Sequence, residues 1–356
     1  MDSYSSIDLK HPPAKKDFFY EPIAMMWSEL LGHSVQRRWF DSAVKQSRLA
    51  STFLMVGPDG IGKRTFARLV AKSMLCLRQT PGSMIPCGVC ESCVQVDAST
   101  HPDLLQIEKS ADASSLSIDK LVGSKENRMR EGLCYELHVK PFGGVRRVAI
   151  IDDADTILDE AANSMLKTLE EPPLGSLIFL IGTNEQRQLA TIRSRSQIVR
   201  FSRLDRSHVA TLLLQNGILS DAMEASEVAA VASGSIGLAT LLADTELRKF
   251  RSELHVMLAQ RPMDFVGISK AMLAQSQGVG EEGSARRVRL KLLFSFACDF
   301  YRAILLRETS RINLSQATAA LAMDSCLIAQ SEVDRNLTPA GLLESWAAKQ
   351  AELCQA

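Results

Sequence analysis

Apolar positions in the first 200 residues follow two rhythms. Short apolar runs, "STFLMV" (51–56), "VRRVAII" (145–151) and "SLIFLIG" (176–182), have strand length and little polar alternation. Such runs predict strands buried on both faces. "DLLQI" (103–107) and "QIVRF" (197–201) are weaker strand candidates. Between these runs apolar residues recur every three or four positions. "KRTFARLVAKSMLC" (63–76) places Phe66, Leu69, Val70 and Leu75 on a helical stripe. "DEAANSMLKTLEE" (159–171) is helical up to Pro172-Pro173, which cannot continue a helix. Strands alternating with helices predict an α/β fold: a parallel sheet with right-handed crossovers and helices on both faces.

Past about Arg203 the strand rhythm ends. "RSHVATLLLQNG" and "DAMEASEVAAVASGSIGLATLLAD" read as short helices, and "AQSQGVGEEGSA" (274–285) as a linker. The next segment, 286–308, carries Leu293, Phe296, Ala297, Phe300 and Ile304 at helical spacing, the mark of a packed face. The expected organisation is a leader over 1–23, an α/β core over 24–203 with a cysteine-rich module at 76–93, a small helical domain over 204–273 and an all-helical domain over 274–356.

The chain has 356 residues, 46% of them apolar, enough for two or three cored domains. Its 41 basic and 41 acidic residues cancel, so bulk charge gives no case for a protein that coats nucleic acid or a membrane surface. No apolar run reaches the roughly 18–20 residues needed to span a bilayer. The opening "MDSYSSIDLKHPPAKKDFFYEP" is polar and lacks the apolar centre of a signal peptide. A cytoplasmic protein with no membrane contact is expected.

The turn after the first strand reads "GPDGIGKRT" (57–65). A phosphate-binding P-loop needs Gly, four residues, Gly-Lys, then Ser or Thr. Backbone N–H groups and a helix N-terminus hold the phosphates, the lysine neutralises them, and the hydroxyl holds Mg²⁺. Gly57, Gly60, Gly62 and Lys63 suit that task. Arg64 stands at the hydroxyl position, and Thr65 lies one residue late, about 100° around the helix. A cation there competes with Mg²⁺. The acids after the 145–151 strand are Asp152 and Asp153. Asp152 suits metal support. Asp153 stands where such ATPases carry Glu to position water; one methylene less implies a loss on the order of 10²-fold. A nucleotide site with weak or absent hydrolysis is expected, with ATP/Mg²⁺ as the ligand in question.

Four of the eight cysteines cluster as Cys76-x10-Cys87-x2-Cys90-x2-Cys93. A Cys-x2-Cys turn brings two thiolates to one ion, and four thiolates close a tetrahedral shell. Structural Zn²⁺ is expected; four free thiols or an iron–sulfur cluster use the same residues.

The P-loop, the cysteine cluster, "HPDLLQIE", "KPFGGVRRVAIIDDADTI", "NSMLKTLEEPP" and "TIRSRSQIVRF" occur in that order. So ordered, they resemble the AAA+ clamp-loader subunits of bacterial DNA polymerase III, the delta-prime type most closely. The upstream 27–63 resembles the opening of that family, and the likeness covers residues 24–240. It implies an AAA+ core, a helical lid (204–273) and a helical collar (274–356). It implies assembly with delta and gamma/tau-like subunits in a hetero-oligomeric ring that places the sliding clamp on primed DNA. By motif position, Asp152 and Asp153 match the Walker B acids and Thr183 the polar sensor near the γ-phosphate. Arg195, in Ser194-Arg195-Ser196, matches the arginine finger offered in trans. Gly237 stands where other loaders carry a sensor arginine. Without the resemblance, Arg195 is one solvated arginine in a basic loop. Lys167, Glu170 and Glu171 of "KTLEEPP" are assigned no catalytic task. Two other readings remain: a working motor ATPase of the same loader, and a zinc-dependent nucleic-acid-binding module.

Overall fold

Five strands form one sheet: β1 (Thr52–Val56), β2 (Leu104–Ile107), β3 (Arg147–Ile151), β4 (Ser176–Gly182) and β5 (Gln197–Arg200). Their order is β2-β3-β4-β1-β5, and every pairing is parallel. This computed structural model describes residues 26–110, 113, 115–143, 146–277, 283–307, 314–333 and 338–355. The leader expected over 1–23 lies outside the described residues.

Strand alternation sorts the sheet's side chains into two cores. Phe53, Met55, Val148, Ile150 and Phe179 face Phe40, Phe66 and Val70. Leu54, Val56, Ala149, Ile151 and Leu180 face Val122, Leu133 and Met165. Both faces are covered, which is why β1, β3 and β4 are buried at every position. On the first face Phe40 packs at 4.9 Å from Phe53 and 5.5 Å from Phe66. Burying each ring stabilises the fold by about 1.5–3 kcal/mol.

The helix Lys63–Leu75 starts at Gly62, in the left-handed region at φ 94°, and ends where Cys76 turns extended. The helix Asp159–Glu170 stops at Glu171 before the two prolines, as expected. Asp103, buried at the entry to β2, accepts the Phe142 and Gly143 N–H groups at 2.8 Å each. Asp103 of "HPDLLQIE" is thereby tied to Phe142 and Gly143, just upstream of β3.

The C-terminal part is helical. Arg206–Gln215, Ala222–Val231 and Ile236–Leu242 are followed by Thr245–Ala259, Phe265–Gln277, Gly283–Leu305, Gln316–Glu332 and Pro339–Gln355. The expected stripe is buried at all five positions. One difference from expectation concerns 274–285. Residues 274–277 are helical, the helix resumes at Gly283, and 278–282 lie outside the described residues. Ser276 is buried and bonds back to the Leu273 carbonyl at 2.7 Å, so a polar residue here is satisfied within the helix. A single apolar cluster runs from Leu204 to Ala351. His255 Nε2 meets the Phe296 carbonyl at 2.9 Å, joining helices on either side of the expected linker. Among the described residues no single helix is long and apolar enough to cross a membrane.

Candidate functional site

The loop from Gly57 to Gly62 joins β1 to the helix Lys63–Leu75, as a P-loop does. The Lys63 ammonium donates to the Gly57 and Pro58 carbonyls at 2.6 and 2.7 Å, and its side chain is 6% exposed. Burial pushes the Lys63 pKa down. Gly60, at φ 69°, lies against the start of the helix Ile236–Leu242: a Cβ there would fall 2.4 Å from Ser235 Oγ and 2.9 Å from the Gly237 nitrogen. Gly237 N–H donates to the Gly60 carbonyl at 3.1 Å, and Ser235 Oγ donates to the Asp59 carbonyl at 2.9 Å. The position that resembles a sensor-arginine site therefore packs on the loop by its backbone.

Arg64 lies between two carboxylates. Its Nη1 pairs with Glu108, which follows β2, and stands 3.6 Å from Asp152, which follows β3. Burial raises the Asp152 pKa, and the Arg64 charge opposes that rise. A guanidinium thus supplies the positive charge beside Asp152 that a metal supplies in a P-loop with a hydroxyl at this position. Asp153 takes a left-handed backbone (φ 53°) and donates its N–H to Asp152 Oδ1 at 3.0 Å. Thr183, at the end of β4, gives both its N–H and its hydroxyl to Asp155 Oδ2 at 2.5 Å. Gln188 pairs with the other Asp155 oxygen. The threonine hydroxyl is thereby committed within the chain.

On the other side of the loop lies a cavity of about 530 Å³. Leu30, Ile61, Leu204 and Ile236 form apolar walls, with Gly62 and Thr65 at its floor. It sits between core and lid and has room for a base and a sugar. Arg195 is elsewhere, after the short helix Ala190–Arg193 and before β5. It forms an ion pair with Glu170, at the end of the helix Asp159–Glu170.

The four clustered cysteines converge. Their sulfurs lie within 4.8 Å of one another, with Cys76–Cys90 at 3.9 Å and Cys87–Cys93 at 4.0 Å. Four thiolates about 2.3 Å from one tetrahedral ion stand about 3.8 Å apart, so the set fits a metal. The Val89 N–H leads in drawing the Cys87 pKa down to about 6, whereas burial pushes Cys93 up. The module is fixed to the P-loop helix. Ser92 Oγ donates to the Leu75 carbonyl at 2.6 Å, and Lys72 pairs with Asp97 at 2.6 Å, both side chains buried.

Sequence reasoning missed Glu108, Asp155, Gln188 and the partner of Arg195. Glu108 had a signal, since it is the acid that ends "HPDLLQIE", as Asp152 ends the next strand. Asp155 had none, because only the adjacency of β3 and β4 brings it to Thr183, and Gln188 enters only as the second partner of that carboxylate.

Residues 32–205 match the family described as "DNA polymerase III, delta subunit". The chain is 28% identical over 281 residues to the DNA polymerase III subunit delta' of Pseudomonas aeruginosa, covering 79% of this chain and 75% of that one. It is 32% identical over 198 residues to the Bacillus subtilis subunit delta', covering 55% and 56%. It is 30% identical over 226 residues to the tau/gamma subunit of Haemophilus influenzae, covering 61% and 31%. A solved structure, a DNA polymerase III gamma subunit-related protein from Thermotoga maritima, aligns over 88% of this chain and 98% of that one, at 16% identity and a TM-score of 0.41. The resemblance read from the ordered motifs holds: residues 32–205, the α/β core, match the DNA polymerase III delta-subunit family, and delta' subunits are among the proteins this chain is similar to.

Proposed function

We propose that this chain is a clamp-loader subunit of DNA polymerase III in the cytoplasm, which offers Arg195 to a neighbouring ATPase subunit and hydrolyses ATP poorly itself. Its partners are delta and gamma/tau-like subunits, and it reaches the sliding clamp and primed DNA through that assembly. The observation that carries the reading is the state of its own P-loop. Arg64 sits beside Asp152, Lys63 is turned onto loop carbonyls, and Gly237 packs on Gly60. These contacts argue against the motor-ATPase reading, which needs a metal-binding hydroxyl, a free sensor and an arginine in the lid. An arginine presented across an interface stabilises charge in phosphoryl transfer by about 10³–10⁵ in rate.

The cysteine set supports a structural Zn²⁺ that fixes the module to the core. With four sulfurs, the ion has no open position and takes no part in chemistry. The cavity between core and lid supports one further reading: a nucleotide held without turnover.

The test is reconstitution. Mixed with the other loader subunits of its own cell, the chain should enter a defined complex. Arg195→Ala should enter it equally well, because one charge does not hold a broad interface, and should depress the DNA-stimulated ATPase. Unchanged ATPase and clamp-loading rates would return Arg195 to an ordinary surface arginine. Fast ATP turnover by the isolated chain would overturn the static reading.

A further inference from the structure

Arg195 does not stand free in solvent. Its Nε donates to Glu170 Oε1 at 2.8 Å, and Nη2 donates to the same oxygen. Nη1 donates to the Thr191 carbonyl and to Ser194 Oγ, at 3.1 Å each. Every nitrogen of the guanidinium is therefore bonded, and the group is fixed from two directions. Glu170 can take this part because the prolines at 172 and 173 end its helix at this point. The pair borders an open depression lined by Leu169, Glu170, Ser194 and Arg195. Glu170 is 49% exposed and Arg195 29%, so both are reachable from outside the chain.

We propose that Glu170 is a positioning residue for Arg195. In the unengaged subunit its carboxylate holds the guanidinium at the spot where a terminal phosphate oxygen of a nucleotide on the neighbouring subunit would bond. This rests on the reading of Arg195 as a finger acting in trans. Carboxylate and phosphate oxygens are alternative partners for the same N–H fork. Both N–H groups here converge on one carboxylate oxygen, so engagement is an exchange of one oxyanion for another, with no bond made or broken in this chain. The exchange also sets its own threshold. While the pair is intact Glu170 occupies the N–H groups that the phosphate needs, so it must release Arg195 as the phosphate arrives. An ion pair this exposed is weak. It delays engagement by a small factor and still keeps the side chain ordered beforehand.

The experiment uses the reconstituted loader with ATP as the probe and separates KM from kcat. Glu170→Gln keeps the length and one acceptor oxygen but removes the competing charge. The apparent KM for ATP should fall about two- to fivefold while kcat changes less than twofold, with the melting temperature of the isolated variant unchanged. In an Arg195→Ala background the same substitution should leave KM where it was. If KM does not move in the Arg195 background, or moves equally in both, Glu170 has no positioning role, whatever Arg195 does. If Arg195→Ala alone leaves turnover untouched, the finger reading itself fails. The two failures are thus read from different variants.

Discussion

At the scale of single residues, the P-loop is altered by which cation stands next to Asp152. Arg64 brings a fixed charge that reaches both Glu108 and Asp152. Replacing it with threonine restores a short hydroxyl and removes the competitor. Arg64→Thr should therefore bind Mg²⁺-ATP more tightly by calorimetry, yet its steady-state ATPase should stay near that of the parent. Asp153 is still one methylene short, and Thr183 is still bound to Asp155. Lys72 gives a second residue-scale expectation. Its side chain is 1% exposed and pairs with Asp97, which is 6% exposed. Lys72→Met keeps the apolar stem but strands a buried carboxylate. Denaturant unfolding should show a loss of about 3–5 kcal/mol.

At the scale of elements, the cysteine module is a knot tied to the end of the P-loop helix. Cys76 ends that helix and Cys90 precedes the helix Glu91–Asp97. One ion held by these thiolates would set the angle between two helices. Metal analysis of the purified chain should find about one Zn²⁺, and Cys90→Ser should lose it and lower the melting temperature. Lowering the pH should release the ion, since protons compete with it for the thiolates. The elements show plainly what the sequence displays and what it hides. β1, β3 and β4 were legible because a strand covered on both faces must be apolar throughout. The cysteines and the Gly-Lys turn were legible because their chemistry is local. The pairs Arg64–Glu108, Thr183–Asp155 and Arg195–Glu170 were not, because they join residues 44, 28 and 25 positions apart. Only strand order brings those together. Of the linker expected over 274–285, the described residues 274–277 and 283–285 are helical, because polar and small residues are as compatible with helix as with loop.

At the scale of the whole molecule, the helical part shares one apolar cluster. His255 reports on it. Burial lowers its pKa to about 4 from 6.5, with the Arg251 charge adding to the effect. The unfolded chain then binds a proton that the folded one refuses between those values, so stability falls as pH drops through that window and is fully present above it. Thermal melts at pH 7 and pH 5 should differ by about 1–2 kcal/mol on this account. His255→Gln should flatten the difference.

The contact between Gly60 and Gly237 reaches beyond energetics, into which sequences this chain can become. A side chain added at 237 meets the Gly60 Cα at 3.1 Å, and one added at 60 meets Ser235 and the Gly237 backbone. An arginine at 237 therefore needs the loop at Gly60 to give by a few tenths of an ångström. That displacement gives no benefit while Arg64 and Asp153 are in place. Changing either of those gives none while 237 remains glycine. Each single step back toward an ATPase is neutral or harmful until all are taken together. For the static subunit proposed above, the backbone contact acts as a ratchet: it would make a loss of hydrolysis hard to reverse and keep the chain dependent on neighbours for that chemistry.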